Sequence, residues 1–78
     1  MEKEADGSFA IHVAVVGKAI IVTMPGTHYS VTYRKGAEPW LLSSDIRDDR
    51  DFPSRKFTFR ARAWTAANDK ARELGWIV

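Results

Sequence analysis

At 78 residues the chain has room for one domain with a modest core. Hydrophobic residues make up 45% and charged residues 28%, which argues against disorder, and a net charge of +2 is too weak a bias to imply nucleic acid by itself. The absence of cysteine excludes disulfides and thiolate metal sites, and a reducing, cytoplasmic compartment is expected.

Residues 1–8, "MEKEADGS", set Glu2, Glu4 and Asp6 against Lys3. They read as a flexible polar N-terminus ahead of a single α+β domain over 9–78, and they lack the apolar core of a signal peptide. No apolar run approaches the roughly 18 residues of a membrane span, so no membrane association is expected.

Three strands follow. "FAIHVAVV" and "AIIVTM" are rich in β-branched residues, and "THYSVTYR" alternates. Gly17-Lys18 and Pro25-Gly26 punctuate them as hairpin turns. A two-residue loop at Gly17-Lys18 sets Val16 opposite Ala19, Val15 opposite Ile20, Val13 opposite Val22 and Ile11 opposite Met24. An even loop at Pro25-Gly26, of two residues or of four (Met24 to Thr27), sets Val22 opposite Tyr29 and Ile20 opposite Val31.

Directly opposed residues share a face. One face therefore collects Ile11, Val13, Val15, Ile20, Val22, Met24, Tyr29, Val31 and Tyr33. The other collects His12, Ala14, Val16, Ala19, Ile21, Thr23, His28, Ser30 and Thr32. The first is apolar and the second mixed, and a one-residue slip would scramble both.

"EPWLLSS" reads as a short fourth strand at an edge, where Pro39 is tolerated. "DIRDDRDFPS" reads as an exposed, acidic connection. Ser54 after Pro53 is the expected N-cap, with Thr58 as a competitor. The helix runs to Leu74, with Ala63, Trp64, Ala67, Ala71 and Leu74 on one stripe. Arg60 projects into the buried arc, where it can snorkel. Phe59 is expected nearly opposite the stripe if the helix has begun by then. Gly75 stands where a left-handed terminator is wanted, followed by Trp76. The expected architecture is a two-layer α+β fold: an antiparallel three- to four-stranded sheet (β-β-β-β-α) with one C-terminal helix on its apolar face. Tyr29, Val31 and Trp64 should be buried together.

Candidate chemistry is sparse. His12 and His28 are the only histidines, and the register places both opposite Thr23. Zinc needs three or four protein ligands, and neither a cysteine nor a nearby carboxylate completes a set, so no metal or other cofactor is expected. Ser30, Thr32 and Thr23 neighbour the histidines, but no acidic residue on those strands would orient an imidazole and no glycine-rich turn supplies an oxyanion hole. "DIRDDRD" lacks the glycine and terminal glutamate of a calcium loop. The basic residues Arg55, Lys56, Arg60, Arg62, Lys70 and Arg72 could contact phosphates, with Tyr29, Tyr33 and Trp40 as stacking residues. The tyrosines, however, fall on the face assigned to the helix.

Two resemblances bear on this. "KAIIVTMPGTHYSVTYRK" and "ARAWTAANDKARELGWIV" resemble segments of short bacterial hypothetical proteins that share a VTxPGTxYSVTY hairpin and an ARELGWIV ending. That group has no assigned activity, so the resemblance implies architecture and nothing catalytic. "GTH" is similar to the GSH motif of HicA-type toxin ribonucleases, small domains whose motif histidine is catalytic, and "ELGW" is similar to a helix ending found there. This second resemblance would give His28 the catalytic role. The order differs: in those toxins the helix ending precedes the histidine motif, and here it follows.

The expected function is a small non-catalytic binding module, self-associating or docking a protein through the open sheet face. The alternative is an RNA- or DNA-binding module with ribonuclease activity through His28.

Overall fold

The computed structural model of the protein describes residues 10–36 and 40–77. The expectations for the N-terminus, for Phe9, for Pro39 and for Val78 lie outside these residues. Four strands, β1 (His12–Val16), β2 (Ala19–Thr23), β3 (Ser30–Lys35) and β4 (Leu41–Arg47), precede a 3-10 turn (Pro53–Arg55) and helix α1 (Lys56–Glu73). The strands form one antiparallel sheet in sequence order, and the helix packs on one face as expected of a two-layer α+β fold.

The first hairpin has the predicted register: Val16 faces Ala19, Val15 faces Ile20 and Val13 faces Val22. The second is displaced by two residues. Val22 faces Val31, Ile20 faces Tyr33 and Thr23 faces Ser30. The cause lies in the corner. Thr27 N–H donates to Met24 O at 3.1 Å, and Gly26 takes φ +88°, as a type II turn requires. That turn twists against a tight hairpin, so the loop spends two further residues before pairing resumes. The Thr27 hydroxyl supports the widened loop, donating to Met24 O at 2.8 Å and accepting the Tyr29 N–H at 3.2 Å.

A slip of two preserves parity, so the predicted faces survive. Ile20, Val22, Met24, Tyr29, Val31 and Tyr33 are all buried in the core, with Ile11 and Val13 packed at its margin. Val15, assigned to the same face, is exposed.

β4 is longer than expected. Asp45–Arg47, assigned to the connection, pair with Ser30–Thr32. A bulge at Ser44 resets the register, with Thr32 facing Asp45 but Tyr33 facing Ser43. Of the seven β4 residues only Leu41 is buried.

The helix differs from the expectation at its start. Phe59, Ala63, Ala67 and Ala71 are the buried stripe. Four residues turn the helix by about 400°, so Phe59 sits about 40° from Ala63 rather than opposite it. Its ring meets Tyr29 at 5.2 Å between centroids. Trp64 and Leu74, placed on the stripe from sequence, lie on its flanks and are exposed. Trp64 stacks at a tilt on Tyr33, 5.7 Å away, so it joins the core edge without being buried with Tyr29 and Val31. Ser54 makes no cap: the 3-10 turn precedes the helix, Arg55 stands at the N-cap position, and no side chain caps it. The alanines let α1 lie close on β2 and, less extensively, β3.

At the other end the helix closes as anticipated. Gly75 has φ +77°, its N–H donates to Arg72 O at 3.0 Å, and Trp76 N–H donates to Ala71 O at 2.8 Å. This is the paired hydrogen-bond pattern of a Schellman motif. Trp76 and Ile77 then pack against the core.

Candidate functional site

Thr23 faces His12 as expected, but not His28, which sits in the widened loop between β2 and β3. The His28 imidazole is 86% exposed, and Nδ1 lies 3.7 Å from Oδ2 of Asp49, a carboxylate only 3% exposed. Strands β1 to β3, which carry or flank the histidines, hold no acidic residue. Asp49 comes instead from the segment between β4 and the helix.

Asp49 is held from three sides. Oδ2 accepts the His28 backbone N–H at 2.7 Å and Oδ1 accepts the Asp51 N–H at 2.9 Å, while its own carbonyl accepts the Phe52 N–H at 3.3 Å. The His28 and Asp51 backbone donors hold its carboxyl below the usual range, against the opposing effect of burial and with a smaller contribution from the His28 ring. Beside it the Tyr29 hydroxyl donates to Phe52 O. Burial raises the Tyr29 phenol above its ordinary value, and Asp48 and Asp49 add to this. The 48–52 segment is thus tied to residues 28 and 29 of the hairpin loop.

The six basic residues do not gather on one surface. Lys56 and Arg60 converge on Asp48: Nη2 of Arg60 donates to both carboxylate oxygens, at 3.0 and 3.2 Å, and Nζ of Lys56 lies 3.6 Å away. Arg60, expected to hold its head in water, instead ends on the Asp48 carboxylate, and its Nε is buried without a hydrogen-bond partner. Arg55 lies over the Phe52 ring. Lys70 pairs with Glu73 and Arg72 with Asp69. Arg62 borders a shallow groove with Ile11 and Ala66. Of the stacking candidates Tyr29 and Tyr33 are buried and Trp40 is exposed.

The open face carries His12, Ala14 and Val16 on β1, Ile21 and Thr23 on β2, Ser30 and Arg34 on β3, and Leu42, Asp45 and Arg47 on β4. Its exposed apolar side chains, Val16 and Leu42, stand at opposite edges, with the buried Ala19 and the exposed Arg34 between them in register.

A second set of exposed apolar side chains, beside the helix, was not legible from sequence. Phe57, Ile46 and Trp64 are 77%, 49% and 46% exposed. Phe57 and Trp64 lie seven residues apart on one line of the helix. Arg60, between them, reaches Asp48, the residue just after β4, so this side of the helix faces the end of β4. Ile46 pairs with Val31 on the helix-bearing face, next to Tyr33, on which Trp64 stacks. The i, i+7 aromatic spacing was the available signal for the helix side. Ile46 was hidden within an acidic run.

Among the described residues no group of three or more histidine, cysteine or carboxylate side chains converges, and no helix is long and apolar enough to cross a membrane. No protein-family model, curated protein or solved structure matches the chain.

Proposed function

We propose that the protein is a small cytoplasmic, non-catalytic interaction module that docks an apolar segment of another protein along Phe57, Trp64 and Ile46. The observation behind this reading is the exposure of these three side chains on the helix-bearing side of the sheet. Four strands at about 4.8 Å spacing span roughly 19 Å, whereas one helix is about 10 Å across. The helix rests on β2 and β3, which leaves the β4 side open. Exposed apolar side chains on one side of a molecule, interspersed with charges such as Lys56, Arg60 and Asp48, are a common form of docking site. The test compares proteins captured by the wild type and by the double variant Phe57→Ser, Trp64→Ala, followed by titration of the purified candidate. A partner that binds the wild type and is lost by the variant supports docking here. Identical capture and identical affinity reject it.

A second reading is favoured by the placement of Asp49. The buried Asp49 carboxylate lies 3.7 Å from Nδ1 of the largely exposed His28 ring, beyond hydrogen-bond range but within ion-pair range; a small approach would let it orient the imidazole, as a general base acting on an RNA 2′-hydroxyl would need. Phosphate binding through Lys56, Arg60 and their neighbours would weaken steeply with salt. Titration with mixed-sequence RNA at two ionic strengths tests binding, and cleavage by a His28→Ala variant tests catalysis. Absence of binding at low salt removes the reading. Equal cleavage by the variant removes the role of His28.

A further inference from the structure

We infer that the protein pairs with a second copy of itself through the outer edge of β1, extending the sheet across a two-fold axis. This surface is separate from the docking strip beside β4. The two edges of the sheet are unlike. β4 is interrupted by the bulge at Ser44 and carries Asp45 and Arg47. Bulges and charges are the usual devices that keep an edge from templating another strand. β1, "HVAVV", has none of them: no formal charge at neutral pH, no proline, no glycine, and an unbroken register over all five residues. Among the described residues no strand pairs with its outer side.

The strand also suits its own copy. Antiparallel pairing centred on Ala14 sets Val13 opposite the partner's Val15, His12 opposite the partner's Val16, and Ala14 opposite the partner's Ala14. An uncharged strand meets itself without the like-charge opposition that destabilises cross-strand pairs. Val15 and Val16 are exposed in the single chain, and the pairing gives each an apolar or aromatic neighbour. The helices permit it. With α1 over β2 and β3, and strands about 4.8 Å apart, the two helices lie roughly 14 to 20 Å from each other, wider than the 8–10 Å of packed helices. Ile11, Val13 and Val15 of both copies would occupy the gap. An isologous contact of this kind closes as a dimer.

The test is sedimentation equilibrium of the full chain from about 10 μM to about 1 mM, a range that captures weak self-association. The wild type is expected to move from the 8.8 kDa chain mass toward twice that value. Ala14 lies on the open face, so Ala14→Lys and Ala14→Glu should fold, with unchanged circular dichroism and melting temperature. Each alone places like charges opposite each other and should dimerise at least about tenfold more weakly. An equimolar mixture of the two should recover the dimer, which loss of folding could not produce. A wild type that stays monomeric throughout overturns the inference, as does a dimer insensitive to Ala14→Lys or a mixture that recovers nothing. Slow amide exchange along β1 in a monomer would mean that the edge is already covered and would likewise overturn it.

Discussion

The carboxylate of Asp49 accepts the backbone N–H of His28 at 2.7 Å, joining two positions 21 residues apart. Because the same carboxylate also accepts the Asp51 N–H, removing it leaves two backbone donors without partners. Asp49→Ala should lower the melting temperature by several degrees. The pH dependence has a definite sign. The folded carboxyl titrates below its ordinary value, so its contribution is complete above the unfolded range near pH 4 and is lost as pH falls through the folded value. The gap in melting temperature between wild type and Asp49→Asn should therefore be full at pH 7 and shrink below about pH 4. A gap that stays constant between pH 7 and 3 would refute the assignment.

Gly75 ends the helix at φ +77°, and a Cβ there would meet nothing within 4 Å. The whole cost of Gly75→Ala is therefore conformational, about 1 kcal/mol or more. In a domain of this size that corresponds to a drop of about 4–8 °C in melting temperature. An unchanged value would mean that the terminal turn relaxes to a right-handed form.

The alanine stripe sets the distance between helix and sheet. Ala67 is fully buried, whereas Ala61, bordering the shallow groove shared with Ile11, is exposed. Ala67→Leu should cost about 1–3 kcal/mol through overpacking. Ala61→Leu should stay within about 0.5 kcal/mol of wild type. Urea unfolding of the two variants separates packing from helix propensity, since both make the same chemical change.

Phe57 contributes little to folding, being the most exposed large hydrophobic side chain described. Phe57→Ser should change stability by no more than about 0.5 kcal/mol. The same variant should reduce binding of an apolar fluorescent dye, and Ile46→Thr should reduce it further. Undiminished dye binding in both would move the apolar docking surface elsewhere, to Val16 and Leu42 of the open face.

Alternation alone assigns the residues of β1, β2 and β3 to two faces, though not their burial: Val15 shares the inward face and is exposed, while Ala19 and Thr32 of the other face are buried. Side chains alternate with period two, and any even loop preserves that parity. Tyr29, Val31 and Tyr33 were therefore assigned to the core although the second hairpin is shifted by two residues. Gly75 was legible for a similarly local reason, because its left-handed stop depends on the residues beside it. The loop length at Pro25-Gly26 was less legible, since turn twist and the Thr27 hydroxyl decide it together. Packing between distant segments brings His28 to Asp49, leaves Ile46, Phe57 and Trp64 uncovered, and puts the uncharged β1 and the bulged, charged β4 at the two edges. Those features depend on where one helix comes to rest on a sheet wider than itself and on contacts between segments distant in the chain, and no local periodicity encodes either.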